Sequence, residues 1–144
     1  GVQYGNLAQV VYWYRQACAA GYANAQVDFY EFARTHADMG DDAYLDEAIA
    51  CLEDAIRQGH RSAIINGAFR ATFIEQDYQR GFFLYALFEE TEPDFAEQRW
   101  SFADQLTQAE IEEAEQAAAA WRAANPIKDY EDFFAQVDSP FRQP

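Results

Sequence analysis

The side chains that most often perform chemistry are few in this chain and form no catalytic pattern. Histidine occurs only at His36 and His60, and cysteine only at Cys18 and Cys51. Neither histidine belongs to a His-x-x-x-His or Glu-x-x-His motif, in which helical spacing turns two metal ligands to the same side. The sequence also contains no phosphate-binding loop and no dinucleotide fingerprint. We therefore predict a protein that is not an enzyme and holds no metal and no cofactor.

Paired carboxylates are the remaining candidates for catalysis, because two acidic side chains at the right separation can hydrolyse glycosides. Such pairs occur at residues 41–42, 89–90 and 112–113. Each pair falls in a predicted helix cap or on a predicted helix face, where an acidic side chain is ordinarily solvated. We predict that His36 lies in the core or at its rim, at a helix end, and that His60 lies in a surface turn.

The charge of the chain argues against two classes of partner. Its formal net charge is −15, from 25 acidic residues against 10 basic ones, which disfavours binding to nucleic acid or to an anionic membrane surface. The acidity is uneven, since residues 1–40 have a net charge of −1 and residues 89–138 one of −11. That acidic segment is interpreted either as a solvated surface or as a field that steers a basic partner. No apolar run approaches the roughly 18 residues of a membrane span, so we expect no membrane insertion.

The spacing of apolar residues predicts helices throughout and no strand. Half of the residues are hydrophobic, which excludes a disordered chain. Asn6, Asp42, Asp77 and Asp94 are predicted helix caps, and Thr107 with Glu110 is predicted to form a capping box. The seven predicted helices cover residues 7–20, 23–36, 43–58, 61–76, 78–88, 94–106 and 107–121, and an eighth, short helix is expected within residues 129–137.

The stretch 6–26 has a more specific pattern, NLAQVVYWYRQACAAGYANAQ. It resembles the Sel1-like repeat, a relative of the tetratricopeptide repeat, whose pattern is D-x-x-x-A-x-x-W-Y-x-x-A-A-x-x-G-x-x-x-A. Weaker copies occupy residues 44–64 and 77–98, and residues 107–121 resemble the closing helix of such bacterial proteins. In the first copy the matching residues are Trp13, Tyr14, Ala17, Gly21 and Ala25, while Asn6, Val10 and Cys18 replace an Asp and two Ala residues.

The resemblance implies an all-α fold: a right-handed α-solenoid of antiparallel helix pairs, with about seven helices and a short C-terminal helix. It divides the chain into a repeat domain, residues 1–125, and a tail, residues 126–144, which we predict caps the solenoid. It also implies a scaffold that binds a protein or peptide partner. The acidic segment supports an alternative, an inhibitor or immunity-type protein that neutralises a basic enzyme or toxin.

The location and assembly of the chain are less constrained. We expect a bacterial protein of the cytoplasm or the periplasm, without a choice between them. The chain begins within a helical pattern, which is consistent with removal of a leader or of an earlier repeat. A monomer is the expected state.

The alignment of the copies makes two predictions about the core. It places Trp13 and Tyr14 between the first and second repeats as buried residues. It also pairs Cys51 with Trp13, which separates the two cysteines by five residues along their helices, or about 7.5 Å. Adjacent helix axes add about 8–10 Å, whereas a disulfide needs Cα atoms within about 7 Å. Cys18 and Cys51 are therefore predicted to be buried free thiols.

The tetratricopeptide-like architecture implies a concave groove, lined by the first helix of each pair. Five of the positions one helical step from the core stripe are apolar, which predicts either an apolar groove for an amphipathic or extended peptide, or a wrong offset that makes these residues core. A groove already filled by the chain's own tail is a third reading. The predicted groove residues are Asn24, Val27, Glu31, Arg34, Thr35, Ser62, Ile65, Phe69, Thr72, Phe73, Gln98, Phe102 and Gln105.

Overall fold

The computed structural model describes the backbone of residues 2–128 and the side chains of residues 6–128. Over these residues the protein is all-helical, with seven α-helices and no strand, as predicted. A π-helical segment, Arg70–Ile74, continues α4, and a 3₁₀ segment, Glu97–Gln105, continues α6. The α-helices are α1 Val2–Ala19, α2 Ala23–Asp38, α3 Leu45–Arg57, α4 Arg61–Phe69, α5 Tyr78–Ala86, α6 Pro93–Ala96 and α7 Gln108–Ala124. The predicted helix and cap in the tail lie outside the described residues.

Two of the predicted helix caps are confirmed. The Thr107 hydroxyl accepts a hydrogen bond from the backbone N–H of Glu110, whose carboxylate accepts one from the backbone N–H of Thr107. The carboxylate of Asp77 accepts a hydrogen bond from the backbone N–H of Arg80 at the start of α5. Side chains of this kind satisfy backbone donors that have no partner within the first helical turn.

Three predicted caps are wrong. Asn6 lies inside α1, which begins four residues earlier, at Val2. The N-cap of α3 is Tyr44 rather than Asp42. The N-cap of α6 is Glu92 rather than Asp94, because α6 begins at Pro93. Proline suits the first helical position, since its fixed φ is helical and the N–H it lacks would have no partner there.

The chain divides into two compact units, and the division falls within α4. Among the described residues, unit 1 comprises residues 2–63 and Lys128, and unit 2 comprises residues 64–127. The predicted domain boundary between residues 125 and 126 stays a prediction.

The core of unit 1 forms where α2 packs against α1 and α3. Phe29 and Ala33 of α2 contact Ala48 and Cys51 of α3 in a buried cluster. The ring of Tyr14, from α1, stacks on Phe29 with 5.3 Å between ring centroids. The face of α2 that contains Phe29 therefore packs against both α1 and α3.

Two side-chain pairs show how α1 and α3 are aligned. Arg15 forms an ion pair with Glu47, 32 residues later, with 2.6 Å between nitrogen and oxygen. Cys18 forms a disulfide with Cys51, 33 residues later, with 5.9 Å between Cα atoms. The prediction of two free thiols is therefore wrong. The repeat alignment pairs residues that are 38 apart, such as Trp13 with Cys51, whereas the two cysteines are 33 apart. The alignment therefore displaces the helices by five residues relative to the structure, and that displacement is the separation that appeared to rule out a disulfide.

The predicted burial of Trp13 is also wrong, since 55% of its surface is exposed. The side of α1 that faces the core contains Val11 and Ala17, which are buried, and Tyr14, which is partly buried. Trp13 follows Val11 by two residues, which is about 200° around a helix. It therefore lies on the opposite side of α1.

A buried amide joins α1, α2 and α3. The side chain of Gln26 is fully buried, and its Nε2 donates to the backbone oxygen of Cys18 at 3.1 Å and to Oδ2 of Asp54 at 2.7 Å. Its Oε1 accepts from Nε2 of Gln58 at 3.1 Å. These bonds satisfy the polar atoms of Gln26, so burying its side chain leaves no uncompensated desolvation cost.

His60 is buried rather than in a surface turn as predicted. Its Nδ1 accepts a hydrogen bond from the backbone N–H of Ala63 at 3.2 Å. Its other nitrogen, Nε2, lies 2.6 Å from Oδ1 of Asn24. Because Nδ1 is an acceptor, the proton of the neutral ring lies on Nε2, which donates to Asn24. His60 thus ties the turn after α3 to the start of α2.

The core of unit 2 is aromatic and encloses an arginine. Phe82 and Phe88 of α5 are fully buried, and only 5% of the surface of Arg99 is exposed. The Nε atom of Arg99 lies 3.2 Å from a carboxylate oxygen of Glu115, and its guanidinium lies 4.9 Å from the ring centroid of Trp100. An ion pair and a cation–π contact compensate for the burial of this charge.

Candidate functional site

Unit 2 contains a cleft that brings together four of the predicted groove residues. Its volume is about 370 Å³. The predicted residues in it are Thr72, Phe73, Phe102 and Gln105. They are joined there by Gln76, Tyr78, Ser101 and Asp104. Aromatic rings combined with a few amide, hydroxyl and carboxylate groups are typical of ligand-binding clefts.

One wall of the cleft is the irregular end of the fourth helix. The π-helical segment Arg70–Ile74 closes with a bond from the backbone N–H of Glu75 to the oxygen of Arg70, 2.9 Å long. Gln76 follows with a φ of 55°, the left-handed region. That conformation costs about 1–2 kcal/mol for a residue with a Cβ. Single π-turns within helices are often found at functional sites.

An exposed apolar patch adjoins this wall. Phe69 and Phe73 are 54% and 60% exposed, and their ring centroids lie 5.0 Å apart. Ile74 is 48% exposed. Phe73 belongs both to this patch and to the lining of the cleft. Contiguous exposed apolar side chains of this kind mark interaction surfaces more often than isolated ones do.

The opposite side of the cleft rests on the core of unit 2. Phe102 is buried, and its ring lies 5.9 Å from the rings of both Tyr78 and Tyr85. Phe102 is therefore a core residue whose edge reaches the cleft, rather than a side chain presented to solvent as predicted. This outcome matches the alternative prediction from the sequence, in which the offset from the core stripe is wrong and the apolar groove residues belong to the core.

Thr72 is also buried, against the prediction that it faces the groove. Its hydroxyl oxygen packs against Gly81, where a Cβ atom would overlap it. Within the described part of the chain, this hydroxyl has no hydrogen-bond partner. The close approach of the π-helical segment to α5 therefore depends on a glycine at position 81.

The electrostatic environment of the cleft is acidic. Asp104 contributes to its lining, and unit 2 contains 12 acidic residues against four arginines, a net charge of −8. Arg70 lies 3.3 Å from a carboxylate oxygen of Glu75. Arg99 and Arg122 are likewise paired with glutamates of the same unit. The field around the cleft therefore favours cationic ligands.

The remaining predicted groove residues are dispersed. In unit 1, Val27 is a core residue, Asn24 is bonded to His60, and Arg34 pairs with Asp38 at 3.6 Å. Val27 is thus a further wrong assignment, because the face of α2 that contains it packs inward. The others are placed as follows: Ser62 and Ile65 are half-buried, whereas Glu31, Thr35 and Gln98 are exposed.

Glu31 and Thr35 contribute to a second, shallower cleft of about 320 Å³ in unit 1. Asp28 and His36 line it too, and they were missed as site residues. Burial, together with the charge of Glu31, raises the pKa of Asp28. Spacing along α2 is the signal that could have found them, since residues 28, 31, 35 and 36 fall on one helical face.

Among residues 2–128, no group of three or more His, Cys, Asp or Glu side chains is placed to hold a metal ion. No helix in that range is both long and apolar enough to cross a membrane. Both findings concern the described part of the chain alone.

Comparison with known proteins adds no identification. A scan against models of protein families, a search of curated proteins and a search of solved structures each found no match. The Sel1-like resemblance therefore stays a prediction from the sequence. The expected lack of enzymatic activity stays a prediction as well.

Proposed function

We propose that this protein is a binding module whose unit 2 cleft takes a peptide segment of a partner protein. The observation that carries the proposal is the pair of exposed rings, Phe69 and Phe73, beside a cleft that reaches the aromatic core at Phe102. Exposing two phenylalanines leaves apolar surface in water, at a cost of about 25 cal/mol for each Å². A partner side chain that covers both rings would remove that cost.

The partner segment is apolar at one or two anchor positions and basic beside them. Its anchors contact Phe69 and Phe73, since apolar side chains gain most from covering such rings. Its lysine or arginine residues face Asp104, in a unit whose net charge is −8. Charge complementarity of this kind increases the association rate and selects among partners.

We also propose that the helices form a Sel1-like solenoid of antiparallel pairs. The support is the offset between α1 and α3, which is 32 residues for the Arg15–Glu47 pair and 33 for the disulfide. An offset of that size resembles the roughly 34-residue period of tetratricopeptide repeats. An experimental structure of the full chain would test this, and contradict it if later helices do not repeat the arrangement of α1 and α2.

A selection from a phage-displayed library of random peptides tests the proposed function. We expect enrichment of sequences that combine an aromatic or aliphatic residue with lysine or arginine. For a selected peptide, Phe73→Ser should weaken binding by at least about tenfold, or 1.4 kcal/mol. Phe69→Ser should act in the same direction, with the melting temperature unchanged in both variants.

Tyr12→Ser is the matched control, because Tyr12 is 59% exposed, is aromatic and lies in unit 1. It should leave the affinity unchanged. Asp104→Asn should weaken binding less than Phe73→Ser and should reduce its dependence on salt, whereas Asp46→Asn, at an exposed position in unit 1, should not. A library that yields no peptide sensitive to Phe73→Ser contradicts the proposal.

A second candidate function, neutralisation of a basic enzyme, is favoured by the internal pairing of Arg99 and Arg122. Both contact Glu89, at 3.7 Å and 3.3 Å respectively, so these cations serve the fold of an acidic unit. Inhibition assays against a panel of basic hydrolases would test this function. Inhibition that is lost in Asp104→Lys but retained in Phe73→Ser would favour it over peptide binding.

A further inference from the structure

Within residues 2–128, four helix ends use the same left-handed turn. The residues in that conformation are Gly21, Gly40 and Gly59, with φ values of 84°, 99° and 81°, and Gln76, with a φ of 55°. Each is the second residue after its helical segment, which ends at residue 19, 38, 57 or 74 respectively. Left-handed residues at this position are a common way to end a helix, and glycine is the usual choice.

The hydrogen bonds support this equivalence. After α2, the backbone N–H of Asp41 donates to the oxygen of His36, five residues earlier, at 2.8 Å. After the π-helical segment, the backbone N–H of Asp77 donates to the oxygen of Ala71, six residues earlier, at 2.7 Å. The extra residue matches the wider turn of a π-helix. Gln76 therefore performs the backbone role that glycine performs at the other three ends.

Gln76 is the only residue other than glycine with a positive φ among residues 2–128. Of these four turn residues, Gln76 lines the unit 2 cleft, and the three glycines line neither of the two clefts described above. A glycine would adopt the same turn without the steric conflict of a Cβ. The strain is therefore not required by the turn, and the side chain is what distinguishes this position from the other three.

We propose that Gln76 is a recognition residue, whose carboxamide exchanges hydrogen bonds with the main chain of the peptide bound in the unit 2 cleft. This inference rests on the proposed function. A carboxamide has both donor and acceptor groups, which match the acceptor and the donor of a peptide group. Phe69 and Phe73 then bind the side chain of the anchor, while Gln76 orients the backbone that carries it.

The test uses a peptide from the library whose binding depends on Phe73, and it compares two variants of the full chain. Gln76→Gly should raise the melting temperature by about 1–4 °C, because it relieves the left-handed strain. It should also lower the affinity for the peptide by at least about fivefold, because the hydrogen bonds of the carboxamide are lost. Gln76→Asn, which keeps a carboxamide and tolerates the left-handed region, should retain more of the affinity than Gln76→Gly.

An amide-to-ester replacement at the anchor of the peptide isolates the proposed contact. The ester should weaken binding of the peptide to the unmodified protein. It should weaken binding to the Gln76→Gly variant distinctly less, because that variant already lacks the hydrogen bond that the ester removes. A Gln76→Gly variant that binds as tightly as the unmodified protein, or that melts at a lower temperature, overturns the inference while leaving peptide binding intact. A library without a Phe73-dependent peptide overturns the proposed function and this inference with it.

Discussion

The two units of this protein are stabilised in different ways. In unit 1, regular α-helices end at glycines and are joined by the Cys18–Cys51 disulfide, the Arg15–Glu47 ion pair and the buried amide of Gln26. In unit 2, two of the helices change type along their length, and the core consists of aromatic rings around Arg99. Unit 1 therefore adds a covalent bond between helices to its apolar core, whereas unit 2 has no disulfide and encloses a buried, paired arginine in its aromatic core.

The difference indicates where a binding site can form. A regular helix repeats its faces every 3.6 residues, so its buried and exposed sides follow directly from the sequence. A π-turn adds a residue to one turn and displaces the side chains that follow it. In unit 2 this occurs at Arg70–Ile74, and the displaced segment contains Phe73 and leads to Gln76. The irregular helix of unit 2 thus forms one wall of its cleft.

The disulfide provides the largest expected effect. Replacing Cys18 and Cys51 together by alanine should lower the free energy of unfolding by about 2–4 kcal/mol, the usual range for a disulfide that closes a loop of tens of residues. Chemical denaturation of the oxidised protein and of the double variant measures this loss. Amide hydrogen exchange should show that protection falls in α1 and α3 while it persists in α5 and α7.

Equal loss of protection in both units would contradict the contrast between them. The intact mass gives an independent check of the bond itself. The protein without reductant should weigh two hydrogen atoms less than the reduced protein and should resist alkylation. Two alkylated cysteines without reductant would show that the disulfide does not form.

The close approach of Thr72 and Gly81 provides an intermediate effect in unit 2. Gly81→Ala should lower the free energy of unfolding by about 1–3 kcal/mol, because the new methyl group overlaps the Thr72 hydroxyl. Thr72→Ala alone should be mild, since that hydroxyl has no hydrogen-bond partner among the described residues to lose. A double-mutant cycle of the two substitutions should therefore show that Thr72→Ala partly rescues Gly81→Ala. Purely additive losses would contradict the contact.

Trp13 provides the smallest expected effect. Trp13→Ala should lower the free energy of unfolding by less than about 1 kcal/mol, as for most substitutions at exposed positions. The repeat alignment instead implied about 3–5 kcal/mol, the cost of removing a buried aromatic ring. Phe29→Ala, at a fully buried position in the same unit, is the reference and should show the larger cost. Equal losses in the two variants would restore the prediction that Trp13 is a core residue.

The sequence by itself determined the features that depend on local interactions. The all-helical fold follows from apolar periodicity, and the Thr107 capping box follows from residues three positions apart. The glycine stops after α1 and α3 are local as well, since a left-handed turn needs a residue without a Cβ wherever it occurs. Each of these features involves residues within one or two turns of each other.

Only the tertiary structure decided how the helices face and align with one another. Val10, Val11, Trp13 and Tyr14 all read as apolar along α1, yet Val11 is buried and Trp13 is largely exposed. Periodicity groups residues by face, but a face becomes core only when another helix covers it. Which residue of α1 lies beside which residue of α3 is likewise not indicated by residues close together in the sequence.

The same reason explains the candidate site. Val27 and Phe102 became core, whereas Phe69 and Phe73 remained exposed, although all four had been assigned to one groove. The π-turn is closed by the bond from Glu75 to Arg70, the turn at Gln76 is followed by the bond from Asp77 to Ala71, and Thr72 packs against Gly81 of α5. Apolar periodicity predicts an uninterrupted helix over residues 61–76, because it contains no information about contacts with α5, which follows later in the chain.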